Sequence, residues 1–193
     1  MNKGYTLIEL VISVFVLSIA VIGVYSVFSA MLVLTSDSAD RLVAIYLAQE
    51  GAEIIRNIRD NTWLTMQEGD TWLDKITPPK GLDCSNGCNA DYTTGTSVSG
   101  ATVLHQSGGD DYLKIVQSLY RYSEDEGAIK TKFKRKIKIL RFQDNQGNNL
   151  DFAVKVIVEV SWDQKATIFR EATLANECKS NCIKVEYILY NWY

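Results

Sequence analysis

The sequence predicts an α+β protein: one long N-terminal helix, half suited to lipid and half amphipathic, packed on a C-terminal antiparallel β-meander. Three observations carry that expectation. From Leu10 to Leu34 the chain is apolar except for Ser13, Ser18, Ser26, Ser29 and Gly23; about 25 such residues suffice to cross a hydrocarbon core of about 30 Å. The next stretch, "TSDSADRLVAIYLAQEGAEIIRNIRD", places Leu42, Ile45, Tyr46, Ala52, Ile55 and Ile58 at helical spacings, with Asp40, Arg41, Glu50, Glu53, Arg56 and Arg59 mostly between them. Near the end, "KTKFKRKIKILRF" and "DFAVKVIVEVSW" alternate with the period of a half-buried strand. Of the 193 residues, 47% are apolar and 22% charged, which places the chain with folded proteins rather than disordered ones, and a net charge of −3 does not by itself announce a nucleic-acid binder.

The helix is justified first. Only two prolines occur, Pro78 and Pro79, so nothing in the first sixty residues breaks the backbone ladder. Asp37 or Ser38 would cap a second helix if the first ended there, but no glycine or proline falls between Ala30 and Glu50, which favours continuity. A single helix from Tyr5 to Asp60 would be about 80 Å long. A cleaved secretory signal fits poorly, because its apolar core is about 7 to 15 residues and ends in small residues at the cleavage site, whereas cutting after Ala30 or Ala39 would leave Phe28 or Asp37 at the minus-three position. A plain signal anchor accounts for the length and for Lys3. It gives no reason for Glu9, whose carboxylate would cost roughly 2.5 to 3.5 kcal/mol near the centre of a bilayer.

"KGYTLIELVISVFVLSIAVIG" resembles the processing and assembly segment of type IV pilins and pseudopilins: a short basic leader, a glycine, an aromatic residue, threonine, two aliphatics, glutamate and a long apolar helix. The resemblance covers about thirty residues. It implies cleavage after Gly4 by a prepilin peptidase on the cytoplasmic side, methylation of the new terminus at Tyr5, and a role for Glu9 in meeting the amino terminus of a neighbouring subunit. Tyr5 stands where phenylalanine is commoner in the family, and the proline that bends this helix in many pilins is absent, leaving Gly23 as the one weak point of the span. The competing account of Glu9 is that it snorkels to the interface from the helix end. Further implied partners are other pilin or pseudopilin subunits, a membrane assembly platform and the bilayer. No cofactor is implied. A looser resemblance to minor pilins runs through "AIYLAQEGAEIIRNIRDNTW".

On this reading residues 1–4 are a leader, 5–34 the transmembrane or filament-core half of the helix, 35–60 its amphipathic half and 61–193 a β-rich head. Residues 61 to 80 are expected to form irregular turns or short helices that tuck Trp63 and Trp72 onto the head, with Leu64, Leu73 and Ile76. From Gly81 to Gly109 the composition is that of a loop. "YLKIVQSLYRY" suggests two short strands around Gln117 and Ser118. Next come the strand with Phe133, Ile137 and Ile139 facing one way and Lys132, Lys134, Lys136 and Lys138 the other, a turn in "DNQGNN", and the strand whose Phe152, Val154, Val156, Val158, Val160 and Trp162 share a face. "ATIFREATL" and "IKVEYILYNWY" complete four strands. One greasy sheet face and one greasy helix stripe cover each other most economically.

The cysteines form two matched pairs, "CSNGC" at Cys84 and Cys88 and "CKSNC" at Cys178 and Cys182. Beside a membrane-targeting N-terminus they suggest disulfides made outside the cytoplasm. Local loops of about five residues would each constrain the unfolded chain by roughly 2 kcal/mol, and bridges across about ninety residues by nearer 4 to 5. Matched spacing and proximity favour the local loops. A four-cysteine zinc site is the alternative.

Enzymatic chemistry finds no convergent set: the single histidine, His105, lies in a loop-like region, and no nucleophile elbow, phosphate-binding loop or H-E-x-x-H occurs. Lys132, Lys134, Lys136 and Lys138 beside Phe133, Tyr120 and Tyr122 could touch a DNA backbone, against the plainer reading of a solvated face paired with acids on adjacent strands. Asp110, Asp111, Glu124, Asp125 and Glu126 could hold calcium, but no ligand loop of the expected form is visible, so no metal is assigned. The expected protein is a structural subunit, a minor pilin or pseudopilin of the cytoplasmic membrane with its C-terminal domain outside, later part of an extracellular or periplasmic filament. The alternatives are a DNA- or surface-binding subunit and a generic single-pass anchored protein.

Overall fold

A computed structural model describes residues 6–77, 81–94, 104–108, 111–122, 126–163, 178 and 181–191. Helix α1 runs from Leu7 to Leu64, passing Gly23 without a break and extending one turn beyond the end expected from the sequence. Among the described residues seven strands follow: β1 Cys88–Asn89, β2 His105–Gln106, β3 Tyr112–Val116, β4 Leu119–Arg121, β5 Ile129–Gln143, β6 Asn149–Trp162 and β7 Cys182–Tyr190. The expected strand "ATIFREATL" lies outside the described residues. By contacts the chain forms two units, Met1–Asp40 and Arg41–Tyr193.

In the first unit every described side chain up to Phe28 is exposed, in a helix of mean hydropathy 2.8 over its most apolar window. It is long and apolar enough to cross a membrane. Lipid offers no hydrogen bonds, so each hydroxyl in such a segment needs a partner within the helix. Ser13, Ser18, Ser29, Thr35 and Ser38 each donate to the carbonyl four residues back, and Ser26 to that of Gly23, at 2.7 to 2.9 Å.

In the second unit all the strand pairings are antiparallel and β5 is the spine. One edge of β5 pairs with β6 over nearly its whole length, and β6 with β7, giving the long meander. The other edge is shared, with β3 alongside the first half and β1 at Ile137. Period-two burial puts Phe133, Ile137 and Ile139 of β5 with Val154, Val156, Val158, Val160 and Trp162 of β6 on the covered face. Phe152 departs from that expectation: it is 55% exposed, beyond the register shift after Arg141, and stacks on Phe142 with ring centroids 6.1 Å apart.

The helical cover differs from the stripe read off the sequence. Ala44, Leu47, Ala48, Gly51, Ala52, Ile54, Ile55 and Ile58 are buried, while Leu42, Ile45 and Tyr46 are exposed. The buried face is the one with small residues, because these let the helix come close to the strands. A Cβ added to Gly51 would stand 3.0 Å from both Arg135 Cδ and Val158 Cγ1. Tyr187 of β7 donates its hydroxyl to the Ala52 carbonyl at 2.9 Å, and burial pushes that phenol's pKa upward.

Between helix and sheet the chain is more integrated than a loop. Trp72, Leu73, Ile76, Cys84, Cys88, Ala90 and Leu104 all join the core. Strands β1 and β2 form a short ladder inside the Gly81–Gly109 stretch. Asp144 closes the turn between β5 and β6 by accepting from the side-chain amide and the backbone N–H of Asn148 and from Gln146 N, which holds its carboxyl below the ordinary range.

The β3–β4 hairpin turns on Gln117 and Ser118, at φ 51° and 67°. Two-residue hairpin loops want positive φ at both positions, a conformation that costs most side chains about 1 kcal/mol or more each. Changing the pair to Asn-Gly is expected to raise unfolding stability by about 1 kcal/mol, read as a higher denaturant midpoint of the full chain in detergent micelles. An unchanged midpoint would mean that the turn holds no such strain.

Candidate functional site

The N-terminal segment enters the helix at Thr6, whose carbonyl accepts the first bonds, from Glu9 N at 3.1 Å and Leu10 N at 3.2 Å. Thr6 is therefore the N-cap and Glu9 the third helical residue, the T-x-x-E arrangement in which a carboxylate faces the positive end of the helix dipole. That local reason for an acid here was not drawn from the sequence, although the spacing states it. It favours Glu9 by about 0.3 to 1 kcal/mol, less than the cost of an unpaired carboxylate in lipid. Glu9 is exposed. Gly4 and Tyr5 lie outside the described residues.

Residues 1–25 match the family model described as the prokaryotic N-terminal methylation motif. The chain carries the amino terminus typical of type IV pilins and pseudopilins. The match covers Gly4 and Glu9, and the helix it begins continues unbroken to Leu64. No curated protein and no solved structure matches the chain.

The other residues singled out from the sequence are spread over the second unit. Cys84 is bonded to Cys88 and Cys178 to Cys182, so both bridges are local and none of the four is left to bind zinc. His105 is exposed in β2, opposite Asn89. Asp111 accepts from the side-chain amide of Asn89 and from Gly108 N, Glu126 is exposed, and Asp110, Glu124 and Asp125 lie outside the described residues. No cluster of three or more metal-ligating side chains occurs among the described residues.

The basic strand is bound into its own sheet. Lys138 meets Glu159 at 3.1 Å across the β5–β6 ladder. The stem of Lys136 lies against Gly87, where an added Cβ would collide with it. Lys130 and Lys134 set their ammonium groups 3.8 and 4.3 Å from the centre of the Tyr112 ring. Lys132 lies 5.8 Å from the Phe133 ring centre. The lattice continues on β7, where hydrogen bonds from Lys155 and Lys184 hold the Glu186 carboxyl down to about 2. Those exposed pairs are screened by water and contribute little to stability.

One functional-looking side chain escaped the sequence reading. Arg135 sits on the covered face of β5, its side chain fully buried, and reaches α1. It donates to Glu50 Oε2 at 2.8 Å, to the Leu47 carbonyl at 2.9 Å and to the Ala90 carbonyl at 2.6 Å. Its own carbonyl accepts from the Tyr122 hydroxyl, whose pKa burial pushes up to about 12.

Proposed function

We propose that the protein is a minor pilin or pseudopilin, a building subunit of a type IV pilus or a secretion pseudopilus. Residues 1–4 are the leader, removed after Gly4 by a prepilin peptidase, and Tyr5 becomes the methylated terminus. Residues 5–34 hold the chain in the cytoplasmic membrane and later line the filament core, residues 35–60 continue the helix, and residues 61–193 form the extracytoplasmic head. The observation that carries this reading is the methylation motif at residues 1–25 leading directly into an uninterrupted apolar helix whose serines, Ser13, Ser18, Ser26 and Ser29, turn their hydroxyls back onto its own carbonyls. In a dry helix bundle the Glu9 carboxylate is tolerable when an opposite charge neutralises it, and the amino terminus of a neighbouring subunit supplies one.

Intact-mass measurement of the mature protein should give a chain beginning at Tyr5 with one added methyl group. A start at Met1, or one beyond Leu34, defeats the proposal. Glu9→Ala is expected to insert into the membrane and be processed normally while failing to enter filaments, because the helix keeps its Thr6 cap and loses only the charge. Normal filament content of that variant would remove the role assigned to Glu9.

The binding-subunit alternative rests on Lys132, Lys134, Lys136 and Lys138. What weighs against it is that Lys138 is paired with Glu159, Lys136 is packed on Gly87, and Lys134 is engaged with Tyr112. Duplex DNA is therefore expected not to bind the full chain in detergent at physiological salt. Salt-dependent binding that is lost when the four lysines become glutamate would establish the alternative.

A further inference from the structure

The two disulfides close loops of the same length, with a sequence separation of 4 in each, but their surroundings are opposite. Cys84 and Cys88 are 2% and 0% exposed and belong to the hydrophobic core. Their backbone is tied into β5: Ile139 N donates to the Cys84 carbonyl at 3.2 Å, and Cys88 pairs with Ile137. Cys178 and Cys182 are only half-buried and stand outside that core. Cys182 is the first residue of β7, opposite Ser161, and Asn181 before it sits at φ 53° with its carbonyl accepting from Trp162 N at 3.0 Å.

Thiol–disulfide exchange requires a thiolate to reach one sulfur along the S–S axis, so access decides which bridge reacts in the folded protein. A bridge inside the core opens only when the core opens, whereas one at the surface of a strand end opens at the cost of local motion. We propose that Cys178–Cys182 is a thiol–disulfide exchange site, reducible in the native protein by a dithiol oxidoreductase, and that its state sets how firmly the start of β7 is held against β6. A thiolate of the partner dithiol attacks one of the two sulfurs, the S–S bond breaks, and the other cysteine leaves as a thiolate and takes up a proton. The partner's second thiolate then attacks the mixed disulfide and releases the first cysteine. The cystine gains two electrons and becomes two thiols; the dithiol loses two and becomes a disulfide. Cys84–Cys88 takes no part and keeps the core closed.

The test uses the full chain in detergent micelles with dithiothreitol as the dithiol, iodoacetamide to trap free thiols and peptide mass spectrometry to locate them. Cys178 and Cys182 are expected to be trapped at least about 100-fold faster than Cys84 and Cys88, with the difference vanishing in denaturant. Equal rates under native conditions, or earlier trapping of Cys84 and Cys88, overturn the assignment. Hydrogen exchange on the selectively reduced protein reads the second half: amides of Cys182–Val185 should exchange about 10-fold faster and those of Ile137 and Ile139 should not change. The Cys178→Ser, Cys182→Ser double variant should reproduce that pattern. Protection at β7 identical to the oxidised protein, in either sample, overturns the proposed control of the strand.

Discussion

Arg135→Ala is expected to lower the unfolding free energy by about 3–5 kcal/mol, among the largest losses any single substitution in this chain produces. The side chain is completely buried, so its removal leaves a cavity between α1 and β5 that neither a helix nor a central strand can collapse to fill. The Ala90 carbonyl, on a residue 1% exposed, loses its donor, and an unmet buried acceptor costs about 1–3 kcal/mol. Glu50 loses its counter-ion but suffers less, being one-third exposed and able to take water. This asymmetry orders the variants. Glu50→Gln keeps a neutral acceptor for Arg135 and should cost about 1–2 kcal/mol. Arg135→Met fills much of the same space and should fall between the two. Denaturant unfolding of the full chain in micelles, followed by tryptophan fluorescence, gives the ranking; a cost below about 1 kcal/mol for Arg135→Ala would show that the guanidinium is not what couples helix to strand.

Why Arg135 was invisible in the sequence is instructive. The alternation of "KTKFKRKIKILRF" sorts Phe133, Ile137 and Ile139 to one face, and position 135 falls on that face as an arginine among six other basic residues. Nothing local distinguishes it from the lysines that point outward. Its partners are Leu47, Glu50 and Ala90, separated from it by 88, 85 and 45 residues, and a period-two pattern carries no information about them. The long strands β5, β6 and β7 and the turn at 144–148 are recorded locally, in alternation and turn chemistry, and so could be read directly, whereas the short strands β1 and β2 lie in a stretch whose composition reads as a loop.

The helix shows the same division between local and tertiary information. Its continuity was legible because it follows from what is absent between Ala30 and Glu50. Its buried face was only half legible: Ala52, Ile55 and Ile58 are covered as expected, but Leu42, Ile45 and Tyr46 face outward while Ala44, Ala48 and Gly51 face the sheet. Hydrophobicity ranks the large residues first, whereas close packing on a twisted sheet selects small ones. The candidate site, by contrast, is written almost wholly in consecutive residues. A family motif and a helix cap are both defined by a few residues in sequence, so Gly4, Tyr5, Thr6 and Glu9 need no distant partner to be read. What the proposal adds for Glu9, a counter-charge on another subunit, has no trace within this chain.

Trp72→Ala is the second large expected loss, about 3–5 kcal/mol. Trp72 is 3% exposed and lies in the stretch between the helix and β1 that composition alone assigned to irregular turns. Its ring fills the core beside Leu73 and Ile76, and its Nε1 donates to the Asp151 carbonyl at 2.8 Å, near the start of β6. Arg141 fastens the same stretch from β5, donating to the Thr77 hydroxyl at 2.6 and 3.2 Å. These two ties bring residues 71–77 down over the end of the β5–β6 hairpin, where the ladder shifts register. Alanine removes the apolar filling and the tie together. Phenylalanine keeps most of the filling and loses the donor, but Asp151 is exposed, so water can satisfy its carbonyl; Trp72→Phe should cost only about 1–2 kcal/mol. Fluorescence-detected unfolding of both variants separates the terms, the denaturant slope staying constant if the folded state is otherwise intact. Equal losses for alanine and phenylalanine would place the whole effect in the hydrogen bond and remove the packing role assigned to the ring.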